Sequence, residues 1–204
     1  MKASEVSKPV ISLIGPPGSG KGTQAGFLSE RFGFIHMGSG DLLRKRQMVN
    51  DYTGLKIREE INKGVLVPTL VIANLWSDRM EEIKQQNDIF PGLVIDGSPR
   101  RVIETELIKG ALSWYGWDKE YHVLYLNISE QESKKRLLAE NQGRARSDDV
   151  DEALKVRWQC FQNEVKPTLA DLREKGELIE INGEQSRESV FSDILNALGL
   201  HEPD

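Results

Sequence analysis

Lys21 sits in the decapeptide GPPGSGKGTQ, residues 15–24, and a lysine behind three spaced glycines is equipped to hold phosphate. Gly15, Gly18 and Gly20 let the backbone curl so that successive N–H groups point inward. Those donors, with the positive end of a following helix, make a nest for phosphate oxygens. Lys21 adds a point charge for the outer phosphates. Gly22 follows the lysine where most such loops carry Ser or Thr, and the hydroxyl comes one residue later, at Thr23. A magnesium ion bound there lacks the usual direct hydroxyl ligand and relies on water and phosphate.

Such a loop needs a strand before it and a helix after it. Val10-Ile11-Ser12-Leu13-Ile14 is apolar and reads as a buried strand, and residues 23–32 read as an amphipathic helix. Four further apolar runs read as strands, at residues 34–37, 93–95, 122–128 and 178–181. The stretches between them have helical spacing: Leu70, Ile72, Ala73, Trp76, Met80 and Ile83 keep one apolar face. Leu154, Val156, Trp158, Phe161, Val165 and Leu169 do the same until Pro167 perturbs them. Near-continuous apolar strands alternating with helices predict a parallel sheet covered on both faces. Ligands of such a sheet sit at the carboxyl ends of its strands. Ser39-Gly40-Asp41 and Asp96-Gly97 fall there, beside the glycine-rich loop. Residues 141–147 form a polar loop carrying Arg144 and Arg146, after which Asp148 and Asp149 open a helix, where carboxylates suit the dipole.

The chain of 204 residues fits one domain. Its net charge of −5 is not that of a protein built to coat nucleic acid or an anionic membrane, so anionic substrates must meet locally clustered Arg and Lys. One cysteine, Cys160, excludes a disulfide framework and a cysteine zinc site, and reads as a half-buried helix residue. Residues 1–9 have no apolar stretch resembling a signal sequence, and no run approaches membrane-spanning length, so a cytoplasmic protein is expected.

With these pieces in order, the chain resembles the adenylate kinase family of nucleoside monophosphate kinases. The motifs that carry the resemblance are GPPGSGKGTQ, HMGSGDLLR at 36–44, KGVLVP at 63–68, VIDGSPR at 94–100, and RLL at 136–138 with GRARSDD at 143–149 and Arg157. The resemblance implies an α/β fold, a P-loop NTPase-type five-stranded parallel sheet with helices on both faces. The core is residues 1–37, 68–137 and 148–204, with a small helical monophosphate-binding insertion at 38–67 and a short lid at 138–147. That lid lacks cysteines and is similar to the short-lid forms without zinc.

The same resemblance implies transfer of a phosphoryl group from ATP to AMP with Mg²⁺. ATP would lie on Gly15, Pro17, Gly18, Ser19, Gly20, Lys21, Gly22 and Thr23, with Arg136 against the donor adenine. Arg44 and Arg100 would bind the acceptor phosphate, Arg146 and Arg157 would close over the transferring group, and Asp96 would hold waters on Mg²⁺. Ser39, Gly40, Val67, Gly97 and Glu104 would complete the AMP side. Asp148 and Asp149 would anchor the lid arginines, and a monomer is the expected state.

Other residues have plainer readings. Arg58, Arg79, Arg173 and Arg187 read as solvated charges, Asp41 as a helix cap, and His36 as a packed, hydrogen-bonded core histidine. Trp114, Tyr115 and Trp117 read as a loop over apolar core.

Three positions depart from the family pattern. Ser98 replaces a phenylalanine, Glu104 a glutamine that reads the acceptor adenine, and Glu140 a lid-hinge arginine for which Arg144 could substitute. Ser39 keeps a hydroxyl that suits adenine, and Val67 offers a backbone carbonyl to its amino group. An ionised Glu104 only accepts hydrogen bonds, which matches the adjacent N–H donors of guanine better. AMP is the expected acceptor. GMP, UMP or CMP is the alternative, and a nucleotide-binding regulator with reduced activity is the reading from another class.

Overall fold

A computed structural model describes residues 9–86, 90–140 and 151–201. Among them, five strands form one parallel sheet: β1 (Val10–Ile14), β2 (Ile35–Gly38), β3 (Leu93–Asp96), β4 (Tyr121–Asn127) and β5 (Leu178–Asn182), in the order β2-β3-β1-β4-β5. The central strand β1 pairs Ile11 with Val94 on one side and with His122 on the other. Its residues are all buried because each of its two faces is covered. Ile11 and Leu13 meet α1 (Lys21–Phe32) and α9 (Arg187–Leu198) through Leu28, Phe191 and Ile194. Val10 and Ile14 point the other way. Val10 joins Met80 of α4 (Thr69–Gln86) and Ile108 of α5 (Val102–Tyr115). Ile14 joins Phe161, Val165 and Leu169. Ser12, fully buried, keeps its hydroxyl satisfied against the Tyr121 hydroxyl at 3.0 Å.

Each strand agrees with its apolar run to within a residue. Phe34 precedes β2 and packs its ring against Phe32, with centroids 5.7 Å apart. Two helix faces differ from the periodic reading. Ile72, Trp76, Met80 and Ile83 are buried on α4, but Leu70 in its first turn is 72% exposed. Trp117 is buried under Tyr115 and Phe90, yet Trp114 is 83% exposed and stands on the last turn of α5, not in a loop.

Pro167 has a definite effect. In a regular helix its ring would collide with the carbonyl of Asn163. The chain instead widens into a π-helical turn, Phe161–Val165, in which the Lys166 N–H reaches the Phe161 carbonyl. This turn joins α7 (Asp151–Cys160) to α8 (Lys166–Glu174), which restarts with Pro167 in its first turn, where no N–H is required.

Residues 38–67 carry α2 (Ser39–Arg46) and α3 (Tyr52–Lys63), and both helices share the core through Leu43 and Ile57. The Asp51 side chain caps α3 by accepting the Gly54 N–H and pairs with Arg46. The helix α6 (Glu130–Glu140) runs into the segment read as the start of a lid. Arg144, Arg146, Asp148, Asp149 and the side chain of Glu140 lie outside the described residues.

Candidate active site

The carboxyl ends of β1, β2 and β3 converge on the glycine-rich loop. Gly15 is required there, because a Cβ would lie 2.6 Å from Ser19 Oγ and 2.8 Å from the Leu126 carbonyl oxygen. Gly20, at φ 90°, turns the chain into α1 in a conformation that side chains disfavour. Lys21 curls back over this loop and donates to the carbonyls of Gly15 and Pro16, both at 2.9 Å, and to Ser19 Oγ at 3.2 Å. Its burial drives its pKa from 10.5 down to about 8. Asp96 pulls the other way, and Arg100 and Arg157 reinforce the fall.

The consequence for activity has a definite sign. Only the ammonium form attracts donor phosphates. The kcat/KM for a nucleoside triphosphate should therefore stay level below about pH 8 and decline above it, checked by a pH–rate profile of the free enzyme. Stability of the ligand-free chain moves oppositely over that window. Between about 8 and 10.5 the unfolded state holds the Lys21 proton more tightly, so this residue's contribution to stability rises with pH.

Asp96 ends β3 close to the start of α1, where a Cβ on Gly22 would sit 3.5 Å from its Oδ2. Burial alone would raise its pKa, but His36, Lys21 and Arg100 outweigh that and hold it below the ordinary value. His36 is no plain core histidine. Its Nε2 lies 3.4 Å from Asp96 Oδ2, an ion-pair distance without hydrogen-bond alignment, and Asp96 raises its pKa against the effect of burial.

A first cavity opens from Gly15, Pro17 and Lys21 past Ser39, Gly40 and Arg44 to Val67, Gly97, Arg100, Glu104 and Arg157. It thus brings together every described residue expected on the acceptor side. Arg44 is held at 2.5 Å by Asp41, so Asp41 orients an arginine and the end of α2 at Gly38 has no side-chain cap. Arg100 is tied down by its own backbone neighbours, its Nε donating to the Gly97 carbonyl at 2.7 Å. Ser98, where a phenylalanine was expected, is buried and donates to the Gly97 carbonyl at 2.9 Å. With that proton committed, the 2.7 Å contact between the two hydroxyls must be Ser39 donating to Ser98, while Trp76 Nε1 donates to Ser39 at 3.1 Å. Ser39 therefore has a lone pair, and no proton, left for a ligand.

Glu104 lines this cavity but is only 2% exposed. Its Oε2 accepts the Arg100 backbone N–H at 2.7 Å, and its Oε1 accepts the Thr69 hydroxyl at 3.3 Å. The carboxylate is turned into the protein, which differs from the expected position against the base. The Val67 carbonyl, expected to take the adenine amino group, already accepts Arg101 Nη1 at 2.9 Å and keeps its second lone pair.

A second cavity lies on the other flank of the same loop, lined by Gly18, Ser19, Gly20, Thr23 and Arg136. Arg136 is fixed by Glu132 and by the Gly183 carbonyl, both at 2.8 Å. Arg187 also lines it, at the start of α9. Arg187 is exposed, in keeping with its reading as a solvated charge, and it also stands just past the carboxyl end of β5, where a parallel sheet binds ligands. Among the described residues, no group of three or more His, Cys, Asp or Glu is arranged to hold a metal ion, and no helix is long and apolar enough to cross a membrane.

Comparisons with known proteins agree with this geometry. The model of the family described as adenylate kinase matches residues 13–177. Adenylate kinase 1 of Nostoc sp. is 32% identical over 93% of this chain and 98% of its own length. The adenylate kinase of Mycolicibacterium smegmatis is 35% identical over the same shares of both chains. UMP-CMP kinase 3 of rice, Oryza sativa subsp. japonica, is 35% identical over 91% of this chain and 83% of its own.

Proposed function

Because this chain belongs to the adenylate kinase family, phosphotransferases with a phosphate group as acceptor, we propose that it converts ATP and AMP into two ADP. The observation that carries this reading is the pair of cavities flanking one phosphate-binding loop. One flank offers Arg136 for a donor base, the other offers Arg44 and Arg100 for an acceptor phosphate, and Lys21, at the end of the shared loop, lines the acceptor flank.

Aligning two polyanions is the central task, and positioning can account for about 7–11 kcal/mol of a barrier of this kind. The loop N–H groups and Lys21 hold the donor β- and γ-phosphates. Arg44 and Arg100 hold the acceptor phosphate, which is already an anionic nucleophile, so no general base is needed. Arg157, in the acceptor cavity beside Arg100, meets charge on the transferring group, and family likeness adds Arg146 from the lid. Arginine suits these positions because its planar fork makes paired bonds to phosphate oxygens.

Asp96 fits a magnesium site. It is a hard oxygen donor held ionised, and its Oδ2 lies beside the start of α1, 3.5 Å from where a Cβ on Gly22 would sit. Bound there through water, Mg²⁺ would neutralise phosphate charge. By family likeness the reading extends to a monomer, and one cysteine in 204 residues suits the reducing cytoplasm and a lid without a cysteine zinc site.

A coupled assay with ATP and a panel of AMP, GMP, CMP, UMP and dAMP tests this function. AMP should give the highest kcat/KM. A pyrimidine monophosphate in first place would favour the second reading, for which the rice UMP-CMP kinase likeness is the motive. Absence of turnover with every acceptor would favour a nucleotide-binding regulator.

A further inference from the structure

Arg101 lines the acceptor cavity, yet the phosphate chemistry leaves it unused. Its guanidinium is held on two sides. Nε donates to Glu164 Oε2 at 3.0 Å on the π-helical turn. Nη1 donates to the Val67 carbonyl at 2.9 Å and lies 3.4 Å from Thr69 Oγ1 and 3.5 Å from Glu104 Oε1. Nη2 has no hydrogen-bond partner among the described residues. A planar fork fixed through Nε and Nη1 cannot swing, so the remaining N–H groups keep one direction.

With Lys21, Arg44, Arg100 and Arg157 of this cavity assigned to phosphate, Val67, Ser39 and Glu104 are the polar groups left beside Arg101, and they accept. Val67 has a carbonyl lone pair left, and Ser39 has a lone pair because its proton goes to Ser98. The Glu104 carboxylate is turned to the Arg100 N–H and to Thr69. Arg101 is thus the donor of the set. Adenine presents its 6-amino donor next to the N1 acceptor. Guanine presents an N1–H donor at that place. We propose that Arg101 donates to N1 of the acceptor adenine while the Val67 carbonyl accepts from its amino group, with Glu104 as the positioning residue that holds Arg101. A neutral amide can make both contacts alone. Here a guanidinium and a carbonyl divide them, and the carboxylate of Glu104 never opposes the N1 lone pair. Guanine N1–H would meet an N–H donor and be rejected.

This assignment rests on the AMP reading, and the test separates the two. The kcat/KM values for AMP and for 1-deaza-AMP, in which a C–H replaces N1, are measured on the wild type and on Arg101→Leu. The wild type should prefer AMP by ~10- to 100-fold, the worth of a hydrogen bond from a charged donor. Arg101→Leu should lose a similar factor with AMP, mainly through KM, and treat the two acceptors alike, with KM for ATP unchanged. A variant that weakens both acceptors equally and keeps the wild-type ratio would overturn the role. If Arg101→Leu does not fold, the wild type alone decides, because equal use of AMP and 1-deaza-AMP overturns the assignment. No turnover of AMP by the wild type would overturn the AMP reading, and this assignment with it.

Discussion

Lys21→Met should remove at least ~10²-fold from kcat while the protein stays folded. The methionine keeps the length of the side chain and loses the charge that meets the outer phosphates. Among the described residues, the Lys21 ammonium bonds only groups of its own loop: the carbonyls of Gly15 and Pro16 and the Ser19 hydroxyl. Those contacts bridge no two elements of the fold. Burial has already pushed its pKa down to about 8, so the folded state holds this charge at a cost. Removing it should leave the thermal unfolding midpoint within a few degrees of the wild type. The variant should also lack the decline in donor kcat/KM above about pH 8, because the titrating group is gone. Near-normal turnover would refute the role assigned to Lys21. A preserved alkaline limb on whatever activity remains would assign that limb to another group.

What could be read from the chain beforehand was local. The phosphate loop is a contiguous string whose glycines, strand and helix are neighbours in sequence, so its shape follows from its own residues. The strands were legible for a similar reason, since a run buried on both faces is apolar throughout. Partner choice was not legible. Asp41 could cap a helix or hold Arg44, and only the approach of Gly38 and Arg44 in space decides between them. Glu104 could face a base or bond the Arg100 N–H, and its direction depends on Thr69 and Arg101 arriving from other segments. Arg101 and Arg187 carry no motif of their own, and the fold brings each to a cavity wall. Leu70 fitted the apolar spacing of α4 but lies in the first turn of that helix, beyond the reach of the core.

Arg100→Leu should be nearly as damaging as loss of Lys21, and it probes whether the site acts as one charged unit. The Arg100 guanidinium is oriented by the Gly97 carbonyl and lines the acceptor cavity beside Arg157. A charge-assisted bond is worth about 1.5–3 kcal/mol, and a two-pronged grip on phosphate engages two of them. The kcat/KM for AMP should fall by at least ~10²-fold, with a far smaller change in KM for ATP. The fold has reason to survive, because Glu104 takes the backbone N–H of residue 100, not its guanidinium, and Thr168 holds the carbonyl of the same residue at 3.1 Å. Arg100 is also one of the two cations that depress the pKa of Lys21. Its removal should therefore let Lys21 keep its proton to higher pH, moving the alkaline limb of donor kcat/KM upward from about 8. That shift is also read from the pH dependence of ATP binding to the AMP-free protein, the state in which Lys21 sits at about 8, so it is independent of the lost acceptor contact. A limb that stays in place would mean that Arg100 and Lys21 are electrostatically separate, and one that moves down would reverse the sign of their coupling. An upward shift together with the loss of AMP affinity would tie the two cavities to one field centred on Lys21, Asp96 and Arg100.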